Sequence, residues 1–562
     1  MPHPGPLPPA LLAAALLLAA TASAAAQTTP AGGPCAYREI DPARWGNQPF
    51  RNPPEIRSAN GALGTTLEVR YTDPDSTSIA GCPVTLRTYN GQLVGPTLRV
   101  KPGDVMNLVL DNRLPRETPD EVAAQVAQEA ANAFIDTRPH PFNTTNLHTH
   151  GLHVSPVGNS DNVLLAIPAQ SSLPYEIKLP ADHTRGTYWY HAHAHGSTAV
   201  QVGSGMAGAL IVEDDPATIP AALRAANERE KVFVIGTILY DTAGRVDDIT
   251  AFFPDDTTAA GRAVCVQGKP GCTWQNSMRR TTVNGQIVPV IRMRPGEVQR
   301  WRLIDAAFRE TLNLRLDGHE LHEIATDGIY TGRIDSWRPD QPLELQPGYR
   351  SDVLVKAGMR PGRYELVDDT STALRSIRQR AEDRNVIAVM VVEGRPMDMK
   401  LPTQAEMARL NPFPGVDLAA TADGSQFAVF NIRGSPDATD NRAYFQVNWA
   451  SFNPTRIRYL QLGATDQWTL QTVGSPHVFH IHVNPFQVRR QGPKGDMQTV
   501  WKDTQFIPTN GTVNVWSKYT DYIGQFVLHC HILDHEDLGM MEVIEIVGEN
   551  GPLAAPPAHG GH

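Results

Sequence analysis

Four short stretches of this sequence carry two histidines separated by a single residue: His148-Thr149-His150, His191-Ala192-His193, His480-Ile481-His482 and His529-Cys530-His531. In a β-strand, residues i and i+2 point to the same face, so each pair offers two imidazoles to one spot. Eight neutral nitrogen donors brought together make a metal cluster. Zinc accounts poorly for it, because zinc is satisfied by four ligands and has no redox chemistry for a cluster to serve. The last stretch does more. The alternation that sends His529 and His531 one way sends the Cys530 sulfur the other way, so two sites share one strand. Cys530, His535 and His477 supply a thiolate and two imidazoles, and Met540 offers a weak axial thioether. Two histidines and a cysteine with a distant methionine are the ligand set of an electron-transfer copper. The chain itself then links that copper, from the Cys530 sulfur through the backbone to His529 and His531, with the cluster behind it.

The elements that must hold these side chains read as strands. Tyr89-Asn90-Gly91-Gln92 leads through Leu98-Arg99-Val100 and Lys101-Pro102-Gly103-Asp104 into an alternating strand, Val105 to Leu110. Val283-Asn284-Gly285-Gln286 leads in the same order through Ile291-Arg292-Met293 and Arg294-Pro295-Gly296-Glu297 into Val298 to Leu303. A fainter copy runs from Arg456 to Leu460 and through Gly463 to Asp466-Gln467-Trp468-Thr469-Leu470. Period-2 patterning around tight turns predicts an all-β protein of three β-sandwiches in series. The predicted domains are residues 35–215, 216–400 and 401–548, with linkers at Glu213-Asp214-Asp215-Pro216 and Arg395-Pro396 and a flexible tail at 549–562. An Ala/Glu/Gln-rich stretch from Pro119 to Phe134 predicts a helix inserted in the first domain.

Composition agrees with this organisation. A chain of 562 residues exceeds what one hydrophobic core supports, and 46 prolines with 45 glycines suit a turn-rich β protein. The net charge of −10 is spread along the chain with no basic block, which sets nucleic acid aside as a partner. Residues 1–26 read as a signal peptide, with an apolar run from Leu11 to Ala20 and small residues before Gln27, although the leader lacks Lys and Arg. That run is too short to span a bilayer, so the protein is expected to be exported, periplasmic or extracellular, with no stable membrane span. Of five cysteines, Cys265 and Cys272 bracket a short Gly/Pro-containing stretch and are candidates for one disulfide, Cys35 and Cys82 are candidates for another, and Cys530 is left over.

These segments resemble the multicopper oxidases, a family that includes laccases, ascorbate oxidase, bilirubin oxidase and bacterial cuprous oxidases. The resemblance runs from Tyr89-Asn90-Gly91 to Met540 and implies three cupredoxin-like Greek-key domains with four copper ions. Carried over by position, it implies a type 1 copper on His477, Cys530, His535 and Met540, and a type 2 copper on His148 and His480. It implies a type 3 pair on His150, His191, His193, His482, His529 and His531. Glu536 matches the family's proton-relay glutamate, and Asp161 the aspartate near the type 2 copper, although Asn162 stands where the family usually has Gly. His195 extends the second pair, and the resemblance favours His191 and His193 over it. His153, His183, His319 and His322 are expected to be structural, and His559 and His562 to belong to the tail.

The reaction implied is one-electron oxidation of a small reductant coupled to four-electron reduction of O2 to water. The third domain has only Met407, Met497, Met540 and Met541, with Met397 and Met399 just before it, which is sparse for a Cu(I) funnel built from thioethers. A laccase-like oxidase of phenols or aromatic amines is therefore expected, with a cuprous oxidase or a non-catalytic copper-binding protein as alternatives. A binding protein would need no Cys530 bridge between two sites. Val473 stands where some relatives carry an acid four positions before the first type 1 histidine. A monomer is favoured.

Overall fold

The computed structural model describes residue 35 and residues 40–120, 142–241, 243–246, 280–372, 374–377, 385–410, 422–434 and 443–548. The expected signal peptide, the Cys265–Cys272 pair, the tail and all but the first two residues of the expected inserted helix lie outside them.

Alternating side chains build the sheets. In Val105–Asn112 the side chains of Met106, Leu108, Leu110 and Asn112 turn inward and are buried, while those between them are more exposed. That strand lies in a four-stranded sheet with Arg87–Tyr89, Ala62–Tyr71 and Ser171–Lys178. A five-stranded sheet accompanies it, ordered Glu55–Arg57, Thr97–Val100, Ala207–Val212, Gly186–His191, His148–His150. Leu67 and Leu108 from one sheet share a core with Leu98, Tyr190 and Leu210 from the other, which makes a sandwich. A six-stranded and a five-stranded sheet then draw their strands from Lys231 to Val392, and another such pair draws its strands from Gly424 to Val547. The fold is all-β, with three cupredoxin-like units.

The repeated turn has a common mechanism. Asn90 and Asn284 adopt φ of 56° and 55°, each followed by a glycine with positive φ. Each Asn Oδ1 accepts from a main-chain N–H of a neighbouring strand, at Glu68 and Val234. The third copy of this turn is Val447-Asn448-Trp449-Ala450, where Asn448 Oδ1 accepts from Val429 N–H at 3.0 Å. Its pattern was hidden because Trp449, with φ of 57°, stands where the other copies have glycine. Asp214, in the stretch expected to be a linker, is pinned by Arg300 Nη1 at 2.6 Å and Tyr330 OH at 2.8 Å. No helix among the described residues is long and apolar enough to cross a membrane.

Candidate metal centre

Two strand pairs, one in the first unit and one in the third, carry the histidines. His148–His150 runs antiparallel to Gly186–His191 with His148 opposite His191, and His477–Ile481 runs antiparallel to Gly524–Cys530 with His480 opposite His529. Three of the paired histidines lie just beyond the strand ends. There, single bonds keep the chain extended: His193 N–H donates to Asn146 Oδ1 at 2.8 Å, His482 N–H to Val527 O at 3.2 Å and His531 N–H to Val478 O at 2.6 Å.

All eight imidazoles converge between these two units and are buried. His193 Nε2 lies 3.1 Å and His482 Nε2 3.4 Å from His529 Nε2, and His531 Nε2 lies 3.3 Å from His150 Nδ1. The rings of His148 and His482 stack at 3.8 Å, and those of His150 and His480 at 3.9 Å. Burial holds every one of these rings below the usual histidine range, His480 to about 4 and His191 to about 3, with neighbouring rings adding repulsion at all but His480. They are neutral donors at neutral pH, able to hold a metal. The Nε2 atoms of His148, His191 and His480 are buried with no hydrogen-bond partner, an arrangement that costs free energy unless a metal takes those lone pairs. The opposite nitrogens are engaged: Nδ1–H of His148 donates to Asp161 Oδ2, that of His191 to Ala192 O and that of His480 to Asp503 O, and Nδ1–H of His529 likewise donates to Cys530 O.

The second cluster lies on the other side of the same strand. Cys530 Sγ is 3.6 Å from His477 Nδ1 and 3.9 Å from His535 Nδ1, with the two nitrogens 3.2 Å apart. These three atoms are close enough to share one ion. Met540 is fully buried, and its main chain accepts from Cys530 N–H at 3.0 Å and donates to His535 O at 2.9 Å. Burial pushes the Cys530 thiol up to about 12, so a metal bound there must displace its proton.

After Cys530 the strand gives way to a short helix, Leu533–Asp537, which the strand-based reading did not anticipate. Successive helical residues turn by about 100°, so three neighbours reach three places. His535 joins the Cys530 cluster. Glu536 places Oε1 3.4 Å from His193 Nδ1 and Oε2 3.3 Å from His529 Nδ1. Asp537 reaches the first unit, where it accepts from the main-chain N–H groups of Gly196, Thr198 and Ala199. Glu536 is fully buried, and desolvation with the neighbouring Asp537 raises its carboxyl well above the usual range. Asp161 accepts from His148 Nδ1–H at 3.1 Å and from Thr149 N–H at 2.8 Å, and burial raises it to about 7.

The remaining histidines are engaged separately. His195 packs on Phe452 with ring centroids 4.6 Å apart. His153 contacts Val483 O and Asp521, while His183 Nε2 accepts from His153 N–H. His319 Nε2 accepts from Gly358 N–H, and His322 Nδ1 lies 2.8 Å from Ser336 Oγ. His559 and His562 lie outside the described residues. Asp503, Thr504 and Arg350, which brace the cluster from behind, carry no sequence motif and were not foreseen.

Comparison with known proteins gives the same class. Three models of the multicopper oxidase family match residues 126–217, 246–395 and 425–549. A multicopper oxidase of Staphylococcus aureus is 25% identical over 476 residues, covering 82% of this chain and 83% of its own. A laccase of Bacillus subtilis is 22% identical over 499 residues, covering 83% and 90%. Among solved structures, a multicopper oxidase from Campylobacter jejuni, described as a metallo-oxidase, superposes with a TM-score of 0.68 at 22% identity, covering 92% of this chain and 98% of its own. A laccase-like multicopper oxidase from Ochrobactrum has a TM-score of 0.64 at 22% identity, covering 89% and 100%. This chain belongs to the multicopper oxidases. It is a copper-dependent oxidoreductase that uses O2 as electron acceptor.

Proposed function

We propose that the protein is an exported laccase-like oxidase that removes one electron at a time from phenols or aromatic amines. A type 1 copper would be held by His477, Cys530 and His535, with Met540 as the proposed fourth ligand. His148 and His480 would hold a type 2 copper, and His150, His191, His193, His482, His529 and His531 a type 3 pair, four copper ions in all. When bound, copper supplies the one-electron couples needed for O2 reduction. Four electrons and four protons convert one O2 to two waters.

One observation carries this reading. The buried Cys530 sulfur lies in one cluster, while its chain neighbours His529 and His531 lie in the other. A peptide unit on either side then joins the two. Electron entry is proposed through His535, which retains 5% exposure while His477 has none. Glu536, with Thr198 Oγ1–H donating to its Oε1 at 3.1 Å, holds a proton at a carboxyl facing two of the imidazoles and is the proposed donor. Asp161 orients His148 by accepting from its Nδ1–H.

The substrate reading is supported by the methionines. Met407, Met540 and Met541 are buried, and only Met497 of the described third-domain methionines is exposed. Met399 is lodged against the second unit, its sulfur accepting from Val298 N–H at 3.4 Å. Exposed thioethers are too sparse among the described residues to build a soft-metal funnel. The Ochrobactrum enzyme is described as acting on lignin model compounds and lignosulfonate, a chemistry of the same class. Export is supported by the Cys35–Cys82 disulfide, which suits an oxidising compartment.

The copper-loaded protein is expected to be blue and to consume O2 with a phenolic donor. A colourless protein at full copper occupancy would overturn the oxidase reading. Faster turnover of Cu(I) than of every phenol, at matched copper loading, would replace the laccase-like reading by a cuprous oxidase.

A further inference from the structure

His150 and His480 come from different units, yet their rings stack with planes only 11° apart. One stretch of chain runs behind both. The main-chain oxygen of Asp503 lies 2.8 Å from His480 Nδ1, and its carboxylate Oδ1 lies 3.0 Å from His150 Nε2. Thr504 Oγ1 donates to the same Oδ1 at 2.7 Å. A carbonyl and a carboxylate only accept, so the protons sit on His480 Nδ1 and His150 Nε2. The lone pairs left over are then on opposite nitrogens of the two stacked rings. His480 Nε2 is one of the buried atoms with no partner, and His150 Nδ1 faces His531 Nε2 at 3.3 Å.

We propose that Asp503 is a positioning residue that sets which nitrogen of each ring faces metal, Nε2 of His480 and Nδ1 of His150, and that Arg350 of the second unit holds it in place. The inference rests on the copper assignment above. Arg350 grips both carboxylate oxygens, Nη1 to Oδ1 at 2.7 Å and Nη2 to Oδ2 at 2.5 Å. Asp327, also from the second unit, accepts from the main-chain N–H of Arg350 at 3.0 Å and of Asp503 at 3.2 Å. The same unit approaches from a second direction at Gly348, whose φ is 88° and where a Cβ would lie 3.0 Å from the His531 ring. A unit that supplies none of the clustered histidines thereby helps to orient them.

His150, His480 and Asp503 also lie close enough together to hold an ion of their own. The fork of Arg350 argues against it. Both carboxylate oxygens are already taken by a guanidinium, and a second cation would sit beside that charge in a buried site.

The test separates the salt bridge from the acceptor. Asp503→Leu with Arg350→Met removes both, leaving an apolar pair and no stranded charge. Asp503→Asn with Arg350→Gln also removes the ion pair but keeps an acceptor for His150 Nε2–H. Copper per chain is measured against a graded chelator, with the blue absorbance of the Cys530 site reporting the fold. The first variant is expected to lose affinity at the histidine cluster by about 10- to 100-fold with the blue band kept, and the second to restore it to within about threefold. If both variants bind alike, whether well or badly, the proposal fails. Should either variant not fold, nitrogen NMR of the copper-free wild-type protein decides, using the imidazole signal that disappears in His150→Gln. A proton on Nε2 supports the proposal and one on Nδ1 overturns it. A wild-type chain that takes up no copper would instead overturn the copper assignment.

Discussion

Asp537 ties the two histidine-bearing units together, and its removal should be measurable at named amides. The helix Thr198–Gly203 follows Ser197, whose side chain makes no capping bond. The cap comes from the other unit: Asp537 Oδ1 accepts from Gly196 N–H at 2.7 Å and Thr198 N–H at 3.1 Å, and Oδ2 from Ala199 N–H at 2.7 Å. Bonds to a charged acceptor contribute about 1.5 to 3 kcal/mol each, and the low end applies where opening lets water reach the freed donors. Three bonds at about 1.5 kcal/mol make about 4.5 kcal/mol, and 1.4 kcal/mol is tenfold, so Asp537→Ala should raise the opening equilibrium about 1,000-fold. Asp537→Asn keeps the bonds to one oxygen and loses one to the other, for about tenfold. The assay is hydrogen exchange of the amides from Gly196 to Gly203 in the copper-free protein. The expected order is alanine fastest, asparagine intermediate, wild type slowest. Exchange in Asp537→Ala within about threefold of wild type, against this magnitude, would refute the reasoning that the cap joins the units.

Three further outcomes follow from the same geometry. Glu536→Gln should slow O2 consumption by about 100- to 10,000-fold while leaving the blue band intact, because the shape survives and the transferable proton does not; unchanged turnover would remove Glu536 from the mechanism. Cys530→Ser should abolish both the blue band and turnover while the histidine cluster still takes up copper, and surviving activity would contradict the route through Cys530. The copper-free protein should lose stability as pH falls below the ordinary histidine value of about 6.5. Below that pH the unfolded chain takes up protons that the folded His480 and His191 refuse until about 4 and about 3. At 1.36 kcal/mol per unit per ring, the share of these two rings is about 5 kcal/mol between pH 6.5 and 4.5, offset in part by Asp161, whose carboxyl, raised to about 7, takes up its proton in the folded state over the same range. Thermal unfolding against pH measures it, and a slope that His191→Gln leaves unaltered would refute the attribution.

The clustered histidines and Cys530 were legible in the linear chain because their geometry is local. Strand alternation acts over three residues, so His529-Cys530-His531 had to face two sides wherever the strand went. The repeated Asn-Gly turns, at Asn90 and Asn284, were legible for the same reason, since positive φ at adjacent residues is a local demand. The third turn escaped notice because Trp449 satisfies that demand without the glycine that announces it. The division of labour among His535, Glu536 and Asp537 was hidden as well. It depends on the strand ending at Cys530 and a helix beginning at Leu533, and one turn of helix aims three adjacent side chains at three sites. Least visible were Asp503 and Arg350, an ordinary acid and an ordinary base 153 positions apart. Nothing in their neighbours marks them. They meet only because the second unit packs against the third, and a hydrogen bond to the far nitrogen of an imidazole has no spacing rule along the chain. The pairing of the histidines and the opposite facing of Cys530 were thus written in short-range pattern, whereas the hydrogen-bond partner behind each ring and the burial of Glu536 beside the cluster follow from long-range packing.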